Sequence, residues 1–246
     1  MIWRKIVYVL LLSWIAISVE AQSNASRMDW WREARFGMFI HLGLYSAAAG
    51  EWNGKEVEGI GEWIQNFAKV PNCEYEKLLS DFTLSKCKPE TWVQIAKLAG
   101  AKYIVFTAKH HEGFCLYPSD VTDFDIESTP YKGDPLKELI EACHKYGLKV
   151  GIYYSHRQDW REEDAAVMKN EYDGHYGKGK SEVKPDLNRY IQNKALPQVR
   201  ELLTNYGKID LLWYDTPFDL SKEQSQLFVD VVRLSLIHIS EPTRHS

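Results

Sequence analysis

Asp215 closes the stretch Ile209-Asp210-Leu211-Leu212-Trp213-Tyr214-Asp215, an apolar run interrupted only by Asp210. A run this short, between Gly207-Lys208 and Thr216-Pro217, predicts a buried parallel strand with Asp215 at its C-terminal lip. α/β folds place their chemistry at that lip. An ionised carboxylate there can attack the anomeric carbon of a sugar and displace the leaving oxygen. It can equally do no more than open a turn, since Asp before Thr-Pro is a common turn starter.

Other residues could complete such a site. His41, the pair His110 and His111, Tyr153 or Tyr154, and Trp213 fall at the ends of apolar runs, and Trp63 and Trp160 fall in segments that could wall a pocket. Imidazole, phenol and indole N–H groups hydrogen-bond sugar hydroxyls, while aromatic rings stack on the C–H face of a pyranose. A histidine among apolar neighbours can also be a satisfied core residue. Metal binding is the rival use of His110 and His111. Adjacent strand residues point to opposite faces, and zinc ligands normally come at helical or loop spacing. No metal and no other cofactor is therefore expected.

The elements that must position these groups alternate. Arg35–Tyr45, Lys102–Ala108, Leu148–Ser155 and Ile209–Asp215 read as strands. Between them, Glu62–Val70 reads as a short helix stopped by Pro71, and Lys88-Pro89-Glu90 opens a helix through Leu98 whose apolar face is Trp92, Ile95 and Ala96, with Ala99 at its end and Gly100 as its cap. Pro135–Tyr146 reads as a helix capped by Gly147, and Asp186–Tyr206 as one kinked or broken at Pro197. Arg157–Pro185 is polar and reads as a long loop. Strand–helix alternation implies a parallel sheet, either doubly wound or closed into a (β/α)8 TIM-type barrel. No Gly-x-Gly-x-x-Gly follows any strand, which disfavours a dinucleotide-binding sheet. The expectation is an α/β barrel of which only the first half, about four βα units, is present.

The motifs carry a resemblance. Phe-Gly-Met-Phe-Ile-His41-Leu-Gly, Thr-Ala-Lys-His110-His111-Glu-Gly-Phe, Gly-Ile-Tyr-Tyr154-Ser and Leu-Trp213-Tyr-Asp215 resemble glycoside hydrolase family 29, the retaining α-L-fucosidases, over roughly Met28 to Asp219. The resemblance implies that Asp215 is the nucleophile of a double displacement. It implies that His41, Trp63, His110 and His111 grip the fucose hydroxyls, with Trp213 beside the nucleophile and a Tyr of the Tyr-Tyr-Ser element, taken here as Tyr154, near the reacting centre. The partner it implies is a fucosylated oligosaccharide or glycoconjugate. A retaining enzyme also needs a second carboxyl group about 5–5.5 Å from the first. In the resembled family that acid/base follows the nucleophile by some tens of residues. Here Asp219 follows too closely, and Glu223 and Asp230 fall on a predicted helix leading away, so the chain is expected to lack the acid/base and to be inactive or nearly so. The alternatives are another barrel glycosidase and a non-catalytic carbohydrate-binding protein.

The rest of the chain bounds this reading. A formal net charge of −4 over 246 residues, with both signs interspersed, suggests no nucleic-acid partner. Aromatic residues make up 13% of the chain, which serves core packing as well as sugar stacking. Arg4 and Lys5 precede the apolar Ile6–Val19, and Val19-Glu20-Ala21 offers a cleavage site, so residues 1–21 read as a signal peptide directing export. The apolar part is short for the roughly 20 residues of a bilayer span, so no membrane attachment is expected after cleavage. The truncated catalytic domain is then 22–233. Leu234–Ser246 resembles the conceptual translation of a DNA-library adapter and reads as a non-native tail, 234–246. Asn24-Ala25-Ser26 is a glycosylation sequon, and Cys73, Cys87, Cys115 and Cys143 are assigned no disulfide.

Overall fold

The computed structural model describes residues 29–86, 88–165, 185–217 and 219–240. The predicted signal peptide, the sequon, Cys87 and residues 241–246 of the predicted tail lie outside them. Six strands occur among the described residues: β1 (Gly37–Ile40), β2 (Glu51–Trp52), β3 (Lys55–Glu56), β4 (Tyr103–Lys109), β5 (Lys149–Tyr154) and β6 (Leu211–Tyr214). β1, β4, β5 and β6 form one sheet in that order, every neighbouring pair parallel, which is the expected half of a barrel. β2 and β3 form a hairpin turned by Asn53-Gly54, both at positive φ, a connection the strand reading overlooked.

Alternation along the strands separates two faces. Ile104, Phe106, Ala108, Val150, Ile152 and Tyr154 point into the core shared with the helices, and Met38, Ile40, Leu212 and Tyr214 pack against it from the flanks. On the opposite face, Phe39 meets Tyr153 and Trp213 edge-on, at 5.9 and 5.3 Å between ring centroids. Asp210 interrupts the apolar run because it anchors the start of β6. Its carboxylate accepts from Lys149 Nζ (2.9 Å) and from the Val150 amide (3.2 Å).

The helix Pro135–Tyr146 has the limits read from sequence. The Asp134 carboxylate accepts from the Lys137 amide at 2.9 Å, Pro135 opens the first turn, and Gly147 closes the last at φ 69°. It packs on β4, β5 and the helix Pro89–Leu98. The latter buries Pro89, Val93 and Ala96, whereas Ile95, placed by sequence on its apolar face, is 54% exposed. The helix expected over Asp186–Tyr206 runs as Leu187–Tyr190, a π-helical stretch Ile191–Ala195 and Leu196–Thr204. The wider π turn lies just ahead of Pro197, whose ring has no N–H and crowds the preceding turn. The segment from Arg157 is no surface loop at its start, for Arg157, Gln158, Asp159 and Trp160 are all buried. Among the described residues no helix is long and apolar enough to cross a membrane, and Cys73, Cys115 and Cys143 are free thiols.

Candidate active site

Asp215 is the first residue beyond β6, and its side chain is one-third exposed. The Tyr153 hydroxyl donates to Asp215 Oδ2 at 2.8 Å. Burial, then the charge of Asp215, push the Tyr153 phenol far above its ordinary range, so it remains a donor. The choice of Tyr154 is thereby corrected. Tyr154 is wholly buried on the helix side of the sheet, and its hydroxyl donates to Gln198 Oε1 at 2.8 Å. In register Tyr153 pairs with Trp213 and Tyr154 with Tyr214, so parity along the strand selects Tyr153 for the face that Trp213 shares.

β4 ends at Lys109, with a register irregularity between Thr107 and Lys109, so His110 and His111 lie past the strand in a turn. Strict alternation no longer separates them. Their ring centroids are 4.2 Å apart and both rings join one cluster. His110 stacks on Tyr153 (5.3 Å, 9°) and meets His41 edge-on at 5.6 Å. His41, one residue beyond β1, stacks on Phe39 at 4.6 Å. Trp63 stands 5.4 Å from His111, and Trp160, buried behind it, meets Trp63 at 5.1 Å. Trp213, 41% exposed, sits against Phe39. His41, Trp63, His110, His111, Trp213 and Asp215 are therefore brought to one edge of the sheet.

His110 and His111 are held neutral. Burial, reinforced by the charge of Lys109, pushes His111 down to about 3. Burial also drives His110 well below its ordinary value, with the neighbouring His111 adding to it. Ser155 has one hydroxyl proton and donates it to the Gln158 carbonyl at 2.8 Å, so it accepts from His111 Nδ1 at 2.7 Å. The bare Nε2 of His111 then lies 3.7 Å from Asp215 Oδ2, and with a neutral ring this is no ion pair. It is a hydrogen-bond acceptor at the site. His110 Nδ1 is buried with no hydrogen-bond partner. Such an orphan costs about 1–3 kcal/mol until something bonds to it.

Supporting residues escaped the sequence reading. Glu112 is buried beneath the site, accepting from the Leu44 amide at 3.0 Å and from the Tyr75 hydroxyl. Burial pushes its carboxyl up to about 8. Lys109 is wholly buried, paired with Asp159 (3.0 Å) and donating to the Tyr190 hydroxyl (2.8 Å); Lys194 reaches the same carboxylate at 3.1 Å. Burial alone would raise the Asp159 carboxyl, but the two ammonium charges outweigh it and hold it low. His156 bonds to the Asp215 backbone. The charge of Glu62, next to Trp63, adds to the upward shift of Tyr153. The only sequence signal for Lys109 and Glu112 was that they flank the paired histidines.

Fold and site define a class, an α/β barrel represented here by four of its strands, with its polar groups gathered at their C-terminal ends. A family model described as alpha-L-fucosidase matches residues 15–242, and the chain belongs to that family. It is 30% identical over 216 residues to "Alpha-L-fucosidase 1" of Arabidopsis thaliana, covering 86% of this chain and 34% of that protein. It is 31% identical over 193 residues to the tissue alpha-L-fucosidase of Homo sapiens, covering 76% and 38%. The chain thus spans little more than a third of these curated relatives. Among solved structures, alpha-L-fucosidase AlfC from Lactobacillus casei, in complex with its alpha-L-fucose product, superimposes with a TM-score of 0.79 at 37% identity, covering 85% of this chain and 66% of that one.

Proposed function

We propose that this chain carries the nucleophile-bearing part of a retaining α-L-fucosidase that removes terminal α-L-fucose from fucosylated oligosaccharides or glycoconjugates. Asp215 attacks C1 of the fucosyl group, a bond forms between its carboxylate oxygen and C1, and the leaving oxygen departs with the bonding electron pair. Water then releases fucose with the starting configuration. Tyr153 orients the carboxylate. His41, His110 and His111 take sugar hydroxyls, and Trp63 and Trp213 flank the ring. The acid/base that protonates the leaving oxygen belongs, in this reading, to residues outside the chain. Residues 1–21 act as an export leader and 234–246 as a non-native tail.

One observation carries the reading: a partly exposed carboxylate held at 2.8 Å by Tyr153 and 3.7 Å from His111 Nε2, in a cluster whose His110 Nδ1 is buried without a hydrogen-bond partner. A dinitrophenyl α-L-fucoside tests it, because this leaving group needs no protonation. Intact-mass spectrometry of the 246-residue chain should show an added fucosyl group, lost in Asp215→Ala and mapped to Asp215 by peptide sequencing. An adduct that persists in Asp215→Ala, or none on the parent chain, would sink the proposal.

A further inference from the structure

Thr216, directly after Asp215, adopts φ 48°. Left-handed backbone is uncommon outside glycine and is a marked outlier for a β-branched residue. Such a conformation persists only where its surroundings hold it. Here the partner is Gln158, 2% exposed, whose Nε2 donates to Thr216 Oγ1 at 3.0 Å. The same amide accepts from Trp160 Nε1 at 3.2 Å through Oε1. Its backbone carbonyl accepts from Ser155 Oγ (2.8 Å), the hydroxyl that fixes His111 Nδ1 at 2.7 Å. Gln158 therefore bonds to the strained residue beside the carboxylate, to the tryptophan behind Trp63, and to the serine that sets the His111 tautomer.

We infer that Gln158 is a positioning residue: it holds Thr216 left-handed and so aims Asp215, in register with His111 and the Trp160–Trp63 wall. The inference rests on the proposed role of Asp215. An apolar side chain of similar length would fill the volume but leave the Thr216 hydroxyl and the Trp160 indole without this partner, freeing the turn to relax.

The rate of fucosylation by dinitrophenyl α-L-fucoside, followed by intact mass over a range of concentrations, separates the limiting rate from the half-saturating concentration. Gln158→Leu should lower the limiting rate about tenfold and leave half-saturation within about twofold. Gln158→Glu, whose carboxyl oxygens can bond to both Thr216 Oγ1 and Trp160 Nε1, should regain most of the rate. In a Thr216→Gly background, where positive φ carries no steric penalty, Gln158→Leu should cost much less than in the parent. Equal losses in the Leu and Glu variants, a loss confined to half-saturation, or strictly additive costs with Thr216→Gly would overturn the inference. A ligand-free measurement separates it from the reading of Asp215. Amide NMR of Gln158→Leu should show Asp215 and Thr216 shifted and broadened while Val150, in mid-sheet, is unmoved. Unchanged Asp215 and Thr216 signals refute the positioning role even if the chain forms the adduct, and a parent chain that forms none refutes the nucleophile even if those signals move.

Discussion

The Tyr153 hydroxyl donates to the carboxylate of Asp215, whereas that of Tyr154, one residue on, donates to Gln198 inside the core. Removing each oxygen alone should separate their roles. Tyr153→Phe is expected to slow fucosylation about tenfold with little effect on stability, because the carboxylate it orients is open to solvent. Tyr154→Phe should leave the rate near that of the parent and lower unfolding stability by about 1 kcal/mol, the net worth of one buried hydrogen bond. Limiting rates by intact mass and urea unfolding of both variants check this, and a rate loss in Tyr154→Phe would contradict the assignment.

Two connections share the work of building the site, the turn after β4 and the segment after β5. They are tied by the Lys109–Asp159 pair and by the bond from the Trp160 amide to the His111 carbonyl at 2.7 Å. Gly113 lets them approach: it sits at φ 86°, and a Cβ there would lie 2.4 Å from Asp159 Oδ1. Removing Lys109 takes away one of the two ammonium groups on the buried Asp159 carboxylate, which keeps Lys194 at 3.1 Å, so the cost falls below the roughly 3–5 kcal/mol of a buried charge left with no partner. Lys109→Met should therefore destabilise the chain by about 1–3 kcal/mol, read from urea unfolding. A loss below about 1 kcal/mol would mean that the pair is replaceable by packing.

Across the whole molecule, stability should peak near neutral pH. His111 and His156 are held down to about 3 and about 4, against an ordinary 6.5. The folded chain therefore binds fewer protons than the unfolded chain below that value, and their contribution is complete above it and lost as pH falls through the folded values. Glu112 acts in the other direction. With its carboxyl at about 8 against an ordinary 4.5, the folded chain binds the extra proton, and stability declines as pH rises between the two. Urea midpoints should fall on acidification from about pH 6.5 to 5 and on alkalinisation from about pH 7 to 8.5. Glu112→Gln should flatten the alkaline limb and steepen the acid limb above about pH 4.5, and an alkaline limb unaltered in that variant would remove Glu112 as its cause.

Element order, the limits of Pro135–Tyr146 and the polar ends of the parallel strands were legible in the sequence, because each depends on local chemistry: a proline and an Asp cap at one end, a glycine at the other, and apolar runs between polar turns. Strand positions were readable too, although the first proved much shorter than Arg35–Tyr45, turning away after Ile40. Which of two identical tyrosines meets Asp215 was decided by cross-strand register, which no single strand contains. That His110 and His111 share one cluster depended on where β4 stops pairing, and the strained Thr216 on a glutamine 58 residues away. These are contacts between distant segments, and they exist only once the sheet has brought its strand ends together.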